Sequence, residues 1–356
     1  GEFGNPASRG HRFGWAAEEA VQGARAEVAA LLEAAPDEIL FTSGATESNN
    51  LALKGAWEGR ASRVWQVITV ATEHRSVLDP CRALVLRGAQ LTVLPVGPDG
   101  LLDLVLLGDA LAAGPALASV MHANNETGVV QPVAEIARLA HVHGAWVHCD
   151  AVQSAGWLRV PAGCQGPDLI SLSAHKLHGP KGVGALCVRR RAGGPRLAPQ
   201  IEGGGQERGL RSGTLNVPGI VGLGEACRIA REERDRDAAR VAGLRNRLLD
   251  RLRAGLGPVR VNGSMQARLP NNLSVSFAGV DGEELVAGLG DVAVSRGSAC
   301  SSARREPSHV LKALGLDDEL AQATLRFGLG RGTTEEEIEW VAGRVVEVVG
   351  RLREAR

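Results

Sequence analysis

Asp168-Leu-Ile-Ser-Leu-Ser-Ala-His-Lys176-Leu-His-Gly-Pro-Lys-Gly182 runs from a short apolar segment into a lysine and then a glycine turn. A run as short and continuous as Leu169–Leu172, bounded by charge, reads as a strand buried on both faces, the kind that builds a parallel sheet. Lys176 is one of four lysines, with Lys54, Lys181 and Lys312, and arginine supplies every other fixed positive charge. Forming a Schiff base needs an amine that can lose its proton, which a guanidinium never does. Upstream, Ala145-Trp-Val-His-Cys-Asp150 is a second apolar run, ends in a carboxylate and is followed by Gln153. An aspartate and a downstream lysine, each at the C-terminal end of a buried strand, are what pyridoxal phosphate requires. The lysine holds the aldehyde, and the aspartate keeps the pyridine nitrogen protonated so that the ring accepts electrons. Taken alone, the pair reads equally well as a surface lysine and an ordinary strand-end aspartate.

Working outward, Trp65–Val70, Leu91–Leu94, Leu117–Met121, Trp146–Cys149 and Gly184–Val188 are further short apolar runs bounded by Gly, Pro or charge. Helical patterns lie between several of them, such as Pro132 to His143, with proline at its start and Gly144 at its end. The expectation is an α/β fold with a mostly parallel sheet. After Gly219 the pattern changes. Ile220 to Ala254 reads as a long charged amphipathic helix, followed by strand-like Val259–Val261, Leu273–Phe277 and Val292–Val294 and by helices at Pro307 to Leu314 and Thr334 to Glu354. These predict a smaller α+β domain.

The chain has 356 residues, 44% of them apolar, enough for two cores. Forty basic and forty acidic residues cancel, which disfavours nucleic acid and anionic membranes as partners. No apolar stretch approaches the roughly 20 residues of a membrane span, and no signal-peptide pattern opens the sequence, so a cytoplasmic location is expected. The six cysteines (Cys81, Cys149, Cys164, Cys187, Cys227, Cys300) show neither C-x-x-C nor metal-ligand spacing. They predict no metal site and no disulfide framework, most of them being small core residues.

Four further segments can carry chemistry. Phe41-Thr-Ser-Gly-Ala-Thr-Glu-Ser48 opens a helix, where backbone N–H groups and a Thr hydroxyl can meet a phosphate; an ordinary N-cap is the plainer reading. His74 follows a strand, where its ring can stack on a flat cofactor or simply be solvated. His122-Ala-Asn-Asn-Glu-Thr-Gly128 follows another strand, so that Asn124 or Asn125 can reach the cofactor or the substrate, or merely build a turn. All three lie at C-terminal strand ends, the edge at which open α/β sheets bind ligands. The last is Ser295-Arg-Gly-Ser-Ala-Cys300-Ser-Ser-Ala-Arg-Arg-Glu-Pro307. Its Arg296, Arg304 and Arg305 favour the thiolate of Cys300, the nucleophilic form.

With these residues in place, the chain resembles the pyridoxal-phosphate-dependent cysteine desulfurases of the NifS/IscS type. The likeness is carried by Phe3-Gly-Asn-Pro-Ala-Ser8, Thr42-Ser-Gly-Ala-Thr-Glu47, Thr72-Glu-His74, Met121-His-Ala-Asn-Asn-Glu126, Ser173-Ala-His-Lys176, Gly203-Gly-Gly-Gln-Glu-Arg-Gly-Leu-Arg-Ser-Gly-Thr214, Gly297-Ser-Ala-Cys300, Glu306-Pro-Ser308 and Arg326-Phe-Gly-Leu-Gly-Arg331. The resemblance implies a fold-type I homodimer. A large cofactor-binding domain would span 1–232, and a small domain carrying the cysteine loop would span 233–356. It implies that Lys176 holds the cofactor aldehyde, Asp150 pairs with the pyridine nitrogen, Gln153 bonds the ring hydroxyl and His74 stacks on the ring. Ala45, Thr46, Ser173 and His175 would hold the phosphate, joined by Thr214 of the partner subunit. Asn125 and Arg326 would bind the substrate carboxylate, and Cys300 would take the sulfur as a persulfide, for iron–sulfur cluster assembly or tRNA thiolation.

Compared with that family, the sequence starts at the Gly-Asn-Pro-Ala-Ser motif, without the N-terminal strand and its Asn/Thr-rich turn. It also stops after the Thr334 to Glu354 helix, without the extension that docks the iron–sulfur scaffold in some relatives. Arg296 replaces a more usual serine. Two rival readings follow: another pyridoxal-phosphate enzyme of this fold, such as a selenocysteine lyase, and a non-catalytic dimer serving as an assembly partner.

Overall fold

The apolar runs of the first half become one sheet. In the computed structural model, which describes residues 4–60, 65–296 and 307–355, its strands are β1 (Ile39–Thr42), β2 (Gln66–Val70), β3 (Gln90–Leu94), β4 (Ala116–Ser119), β5 (Trp146–Asp150), β6 (Leu169–Ser173) and β7 (Gly184–Val188). They lie in the order β1-β7-β6-β5-β4-β2-β3. The pairs β2–β3, β2–β4, β4–β5 and β5–β6 are parallel, and β7 is antiparallel to both of its neighbours. Thr42 therefore faces Gly184, which faces Ser173, and the C-terminal ends of β1 and β6 share an edge with those of β2, β4 and β5.

Every residue of β1, β2, β4 and β6 is buried, which is why these strands read as unbroken apolar runs rather than as alternating ones. Successive side chains feed different cores. Ile39, Phe41, Ile170, Leu172 and Cys187 join one cluster with Val21, Ala24 and Val28 of the helix Arg12–Leu31. Leu40, Leu169 and Leu186 join another with Val67, Leu84 and Leu117. Cys81, Cys149, Cys187 and Cys227 are free, buried thiols. Burial pushes Cys81, Cys187 and Cys227 up to about 12, as expected of core cysteines and not of nucleophiles.

Two compact units divide the chain. One comprises residues 1–94, 104–122 and 132–234, and the other residues 95–103, 123–131 and 235–356. The helix Val217–Leu256 contains the division. In the second unit β8 (Arg260–Val261), β9 (Asn272–Ser276) and β10 (Thr324–Gly328) form an antiparallel sheet in the order β10-β9-β8. The helix Glu335–Glu354 starts where expected, closed by a reciprocal Thr334/Glu337 capping box. The strand expected at Val292–Val294 does not form. Its backbone turns on itself, Val292 N–H donating to Leu289 and Val294 N–H to Val292, and pairing begins only at an isolated bridge between Ser295 and Arg326.

Candidate active site

The chain leaves β1 through Ser43 and Gly44 into the helix Ala45–Asn50. Gly44 has φ 150° and ψ 176°, a backbone state that L side chains avoid. A Cβ on Gly184 would lie 2.7 Å from the Gly44 Cα, so the two strand ends touch backbone to backbone. The first-turn N–H groups of such a helix have no acceptor within it, and they sit at the positive end of its dipole. Ala45 and Thr46 belong to that turn. Glu47 does as well, but its carboxylate is engaged elsewhere. Arg211 donates to it at 2.8 Å and the Ser43 N–H at 2.9 Å. Burial raises the Glu47 pKa, and these bonds outweigh it and hold the carboxyl below its usual range.

Asp150 closes β5 at 8% exposure. Its Oδ1 accepts the Val152 N–H at 3.0 Å, and its Oδ2 accepts Asn49 Nδ2 at 2.8 Å. The same Asn49 amide nitrogen donates to Ser76 Oγ at 2.9 Å, which lies 2.8 Å from His74 Nδ1. His74 is the N-cap of the helix Arg75–Val85, and its Nδ1 accepts the Ser76 N–H at 3.1 Å. Burial raises the Asp150 pKa; the bonds from Asn49 and Val152 and the nearby charge of Lys176 offset this only in part. Behind it, Glu73 is fully buried and accepts the Met121 N–H. Burial and then the Asp150 charge push its carboxyl far above the usual range. His122 sits at the same edge, its N–H on the Asp150 carbonyl at 2.9 Å, and burial lowers its pKa to about 4.

Lys176 ends a single 3-10 turn, Ala174–Lys176, directly after β6. Its side chain is exposed, and its charge reaches both Asp150 and His175. Ser173 Oγ and His175 Nδ1 are 2.8 Å apart, and burial, followed by Lys176 and Lys181, lowers the His175 pKa. Gln153 is half-buried in the turn after Asp150. Thr214 lies exposed beyond a loop that is itself firmly held: Glu207 receives Arg25 at 2.6 Å and the Phe41 N–H at 2.7 Å, both deep in the first unit.

The predicted residues of the first unit that follow β1, β2, β5 and β6 thus gather at one sheet edge, and Thr214 is not among them. In the second unit, Arg326 Nη1 donates to the Asn125 carbonyl at 2.8 Å, bringing together the two residues expected to bind a carboxylate. Asn124 instead folds its own turn, Oδ1 accepting the N–H groups of Glu126 and Thr127 at 2.9 Å each. Cys300 lies outside the described residues. Sequence reasoning missed Asn49, Ser76 and Glu73, for which no local pattern exists: Asn49 and Asp150 are 101 residues apart.

A flat, phosphate-bearing ring with a protonated nitrogen fits these residues. Asp150 is a buried carboxylate whose partners leave its pKa raised, and a ring N–H⁺ is the complement it lacks. The helix entry at Gly44 offers N–H groups to a phosphate, beside Ser173 and His175 across the Thr42–Gly184–Ser173 register.

Residues 1–341 match the family model described as aminotransferase class-V. A protein of Anaeromyxobacter sp. (strain Fw109-5) named cysteine desulfurase IscS is 55% identical over 353 residues, 99% of this chain and 87% of that protein. Among solved structures, a NifS-like protein superposes with a TM-score of 0.90 at 37% identity, covering 99% of this chain and 93% of its own. A structure titled SspA in complex with cysteine superposes with a TM-score of 0.80 at 35% identity, covering 94% and 92%.

Proposed function

The chain belongs to the aminotransferase class-V family, and from that premise we propose that it is a cysteine desulfurase, a pyridoxal-phosphate-dependent enzyme that converts L-cysteine to L-alanine. The observation that carries this reading is the meeting of Asp150, His74 and Lys176 at one strand edge, with the Asp150 carboxylate buried and incompletely compensated. When bound, the cofactor supplies an aldehyde that captures amines and a ring that withdraws electrons while its nitrogen is protonated.

The roles of the chain's own residues follow from their chemistry. Ala45, Thr46, Ser173 and His175, with Thr214 of the partner subunit, hold the phosphate. Asp150 keeps the ring nitrogen protonated, Gln153 bonds the ring hydroxyl and His74 stacks on the ring. Arg326 and Asn125 receive the substrate carboxylate, a reading supported by their direct contact. Lys176 holds the aldehyde at rest and, once released, carries the Cα proton of the substrate. The sulfur goes to Cys300. Its thiolate attacks the substrate sulfur, an S–S bond forms as the C–S bond breaks, and L-cysteine plus the Cys300 thiol become L-alanine plus a Cys300 persulfide. The large domain, residues 1–232, binds the cofactor, and residues 233–356 carry the cysteine loop.

We further read the protein as a cytoplasmic homodimer passing its sulfur to an acceptor protein such as an iron–sulfur scaffold. None of its described helices is long and apolar enough to cross a membrane. The test is to load the purified protein with pyridoxal phosphate, desalt it, and measure alanine formed from L-cysteine with a thiol reductant present. Alanine is expected, and none is expected from Cys300→Ser, which should retain the cofactor absorbance. A loaded protein that forms no alanine overturns the reading, retained turnover in Cys300→Ser removes the persulfide step, and a strong preference for selenocysteine reassigns the substrate.

A further inference from the structure

Two buried side chains, Asn49 and Ser76, and the Nδ1 side of the half-buried His74 are used by none of the roles above. Asn49 is wholly buried and Ser76 is 8% exposed, so water does not compete for their hydrogen bonds. The partners restrict the direction of the bonds in this set. Asn49 presents Nδ2 to Asp150 Oδ2 at 2.8 Å, because the flipped amide would set a carbonyl oxygen against a carboxylate. That same nitrogen lies 2.9 Å from Ser76 Oγ and can only donate, so the hydroxyl accepts there. The hydroxyl's single proton is then available to His74 Nδ1 at 2.8 Å. The Ser76 backbone N–H, 3.1 Å from the same nitrogen, can also only donate. Two donors converge on one lone pair.

We propose that Ser76, oriented by Asn49 from Asp150, locks His74 in the neutral tautomer that carries its proton on Nε2. Ser76 is thereby a positioning residue. With Nδ1 held as an acceptor, His74 offers the bound cofactor and substrate an N–H donor and no basic nitrogen on its Ser76 side. A proton on Nδ1 would meet the Ser76 N–H head-on, uncap the helix Arg75–Val85 and turn the Ser76 hydroxyl proton away from the ring. The lock also joins two functional groups in one line: the carboxylate that faces the ring nitrogen sets, through two side chains, the hydrogen-bonding character of the imidazole that stacks on the ring. Only the part of the lock in turnover rests on the desulfurase reading. The tautomer itself does not.

The experiment uses the holoenzyme labelled with ¹⁵N in its histidine rings and reads two-bond nitrogen–proton correlations, the His74 signals being assigned by their loss in His74→Gln. The wild type should show a bare Nδ1 and a protonated Nε2. Ser76→Ala should show a mixture of tautomers, with kcat for alanine formation down about fivefold to tenfold and KM little changed, the loss of one buried hydrogen bond. Ser76→Thr, which keeps the hydroxyl, should restore both. A protonated Nδ1 in the wild type overturns the proposal, and so does an unchanged spectrum in Ser76→Ala. A wild type with the expected spectrum that forms no alanine keeps the lock and discards the desulfurase reading instead.

Discussion

Asp150 and Asp168 are two buried aspartates at opposite edges of neighbouring strands, one closing β5 and the other entering β6, and they have opposite fates. Asp168, 1% exposed, is saturated. Arg191 donates to one of its oxygens, and the Val147 N–H at 2.8 Å and His141 Nε2 at 3.1 Å serve the other. Burial raises its pKa, but these bonds prevail and hold it below the usual range. Asp150 suffers the same burial with an amide and one N–H as its bonded partners, and its pKa stays raised. Burial alone does not mark a functional carboxylate. In the function proposed above, the unfinished set of partners around Asp150 is what counts, because it leaves energy to be released by a cation that arrives from outside.

The comparison breaks most visibly in turnover. Asp150→Asn should lower kcat about 100- to 1,000-fold, the scale of losing one preorganised charge at a reacting group, while the urea midpoint hardly moves. Asp168→Ala should do the reverse, costing about 3 kcal/mol of stability by stranding Arg191 and the Val147 N–H, with turnover per folded molecule intact. If Asp168→Ala silences folded enzyme, or if Asp150→Asn remains active, the contrast fails.

The pH dependence of stability sharpens it, since the two carboxyls carry opposite signs. Asp168 has a lowered folded pKa, so its contribution is present above the unfolded value of about 3.9 and is lost as pH falls through the folded one. Asp150 has a raised folded pKa, so its ionisation weakens the fold, a penalty relieved as pH falls through that raised value. Urea unfolding followed from neutral pH into acid should therefore show a shallower acid loss in Asp168→Asn than in the wild type. The smallest effect belongs to Glu73. With its pKa pushed up by burial and by the Asp150 charge, it should accept Glu73→Gln within about 0.5 kcal/mol if it is protonated, and a larger loss by the same denaturation would mean that it is ionised.

Strands buried on both faces announce themselves as unbroken apolar runs, and β2, β4, β5, β6 and β7 were legible for that reason. Lys176 and Asp150 stood out because each ends such a run. Val292–Val294 has the same apolar look, yet local turn bonds claim its backbone, while β10 interrupts its apolar residues with Arg326 and gave no strand signal. The Asn49–Ser76 line was illegible because it is made of pairings 101 and 27 residues apart between unremarkable polar side chains. For the same reason nothing local foretold that 95–103 and 123–131 associate with residues beyond 235.

The reversed strand β7 has a consequence for the order of events during synthesis. β1 is complete at Thr42, yet its partner among the described strands is β7, which ends at Val188, and Gly44 meets Gly184 across that pairing. The turn that opens the helix Ala45–Asn50, proposed above to hold the phosphate, is therefore among the first segments to leave the ribosome and among the last of its unit to be fixed in place. A nascent chain cannot grip a phosphate there until some 140 further residues have emerged. Capture of the cofactor then reports that the sheet is finished, and a chain stalled before Val188 stays colourless however well its earlier helices have formed.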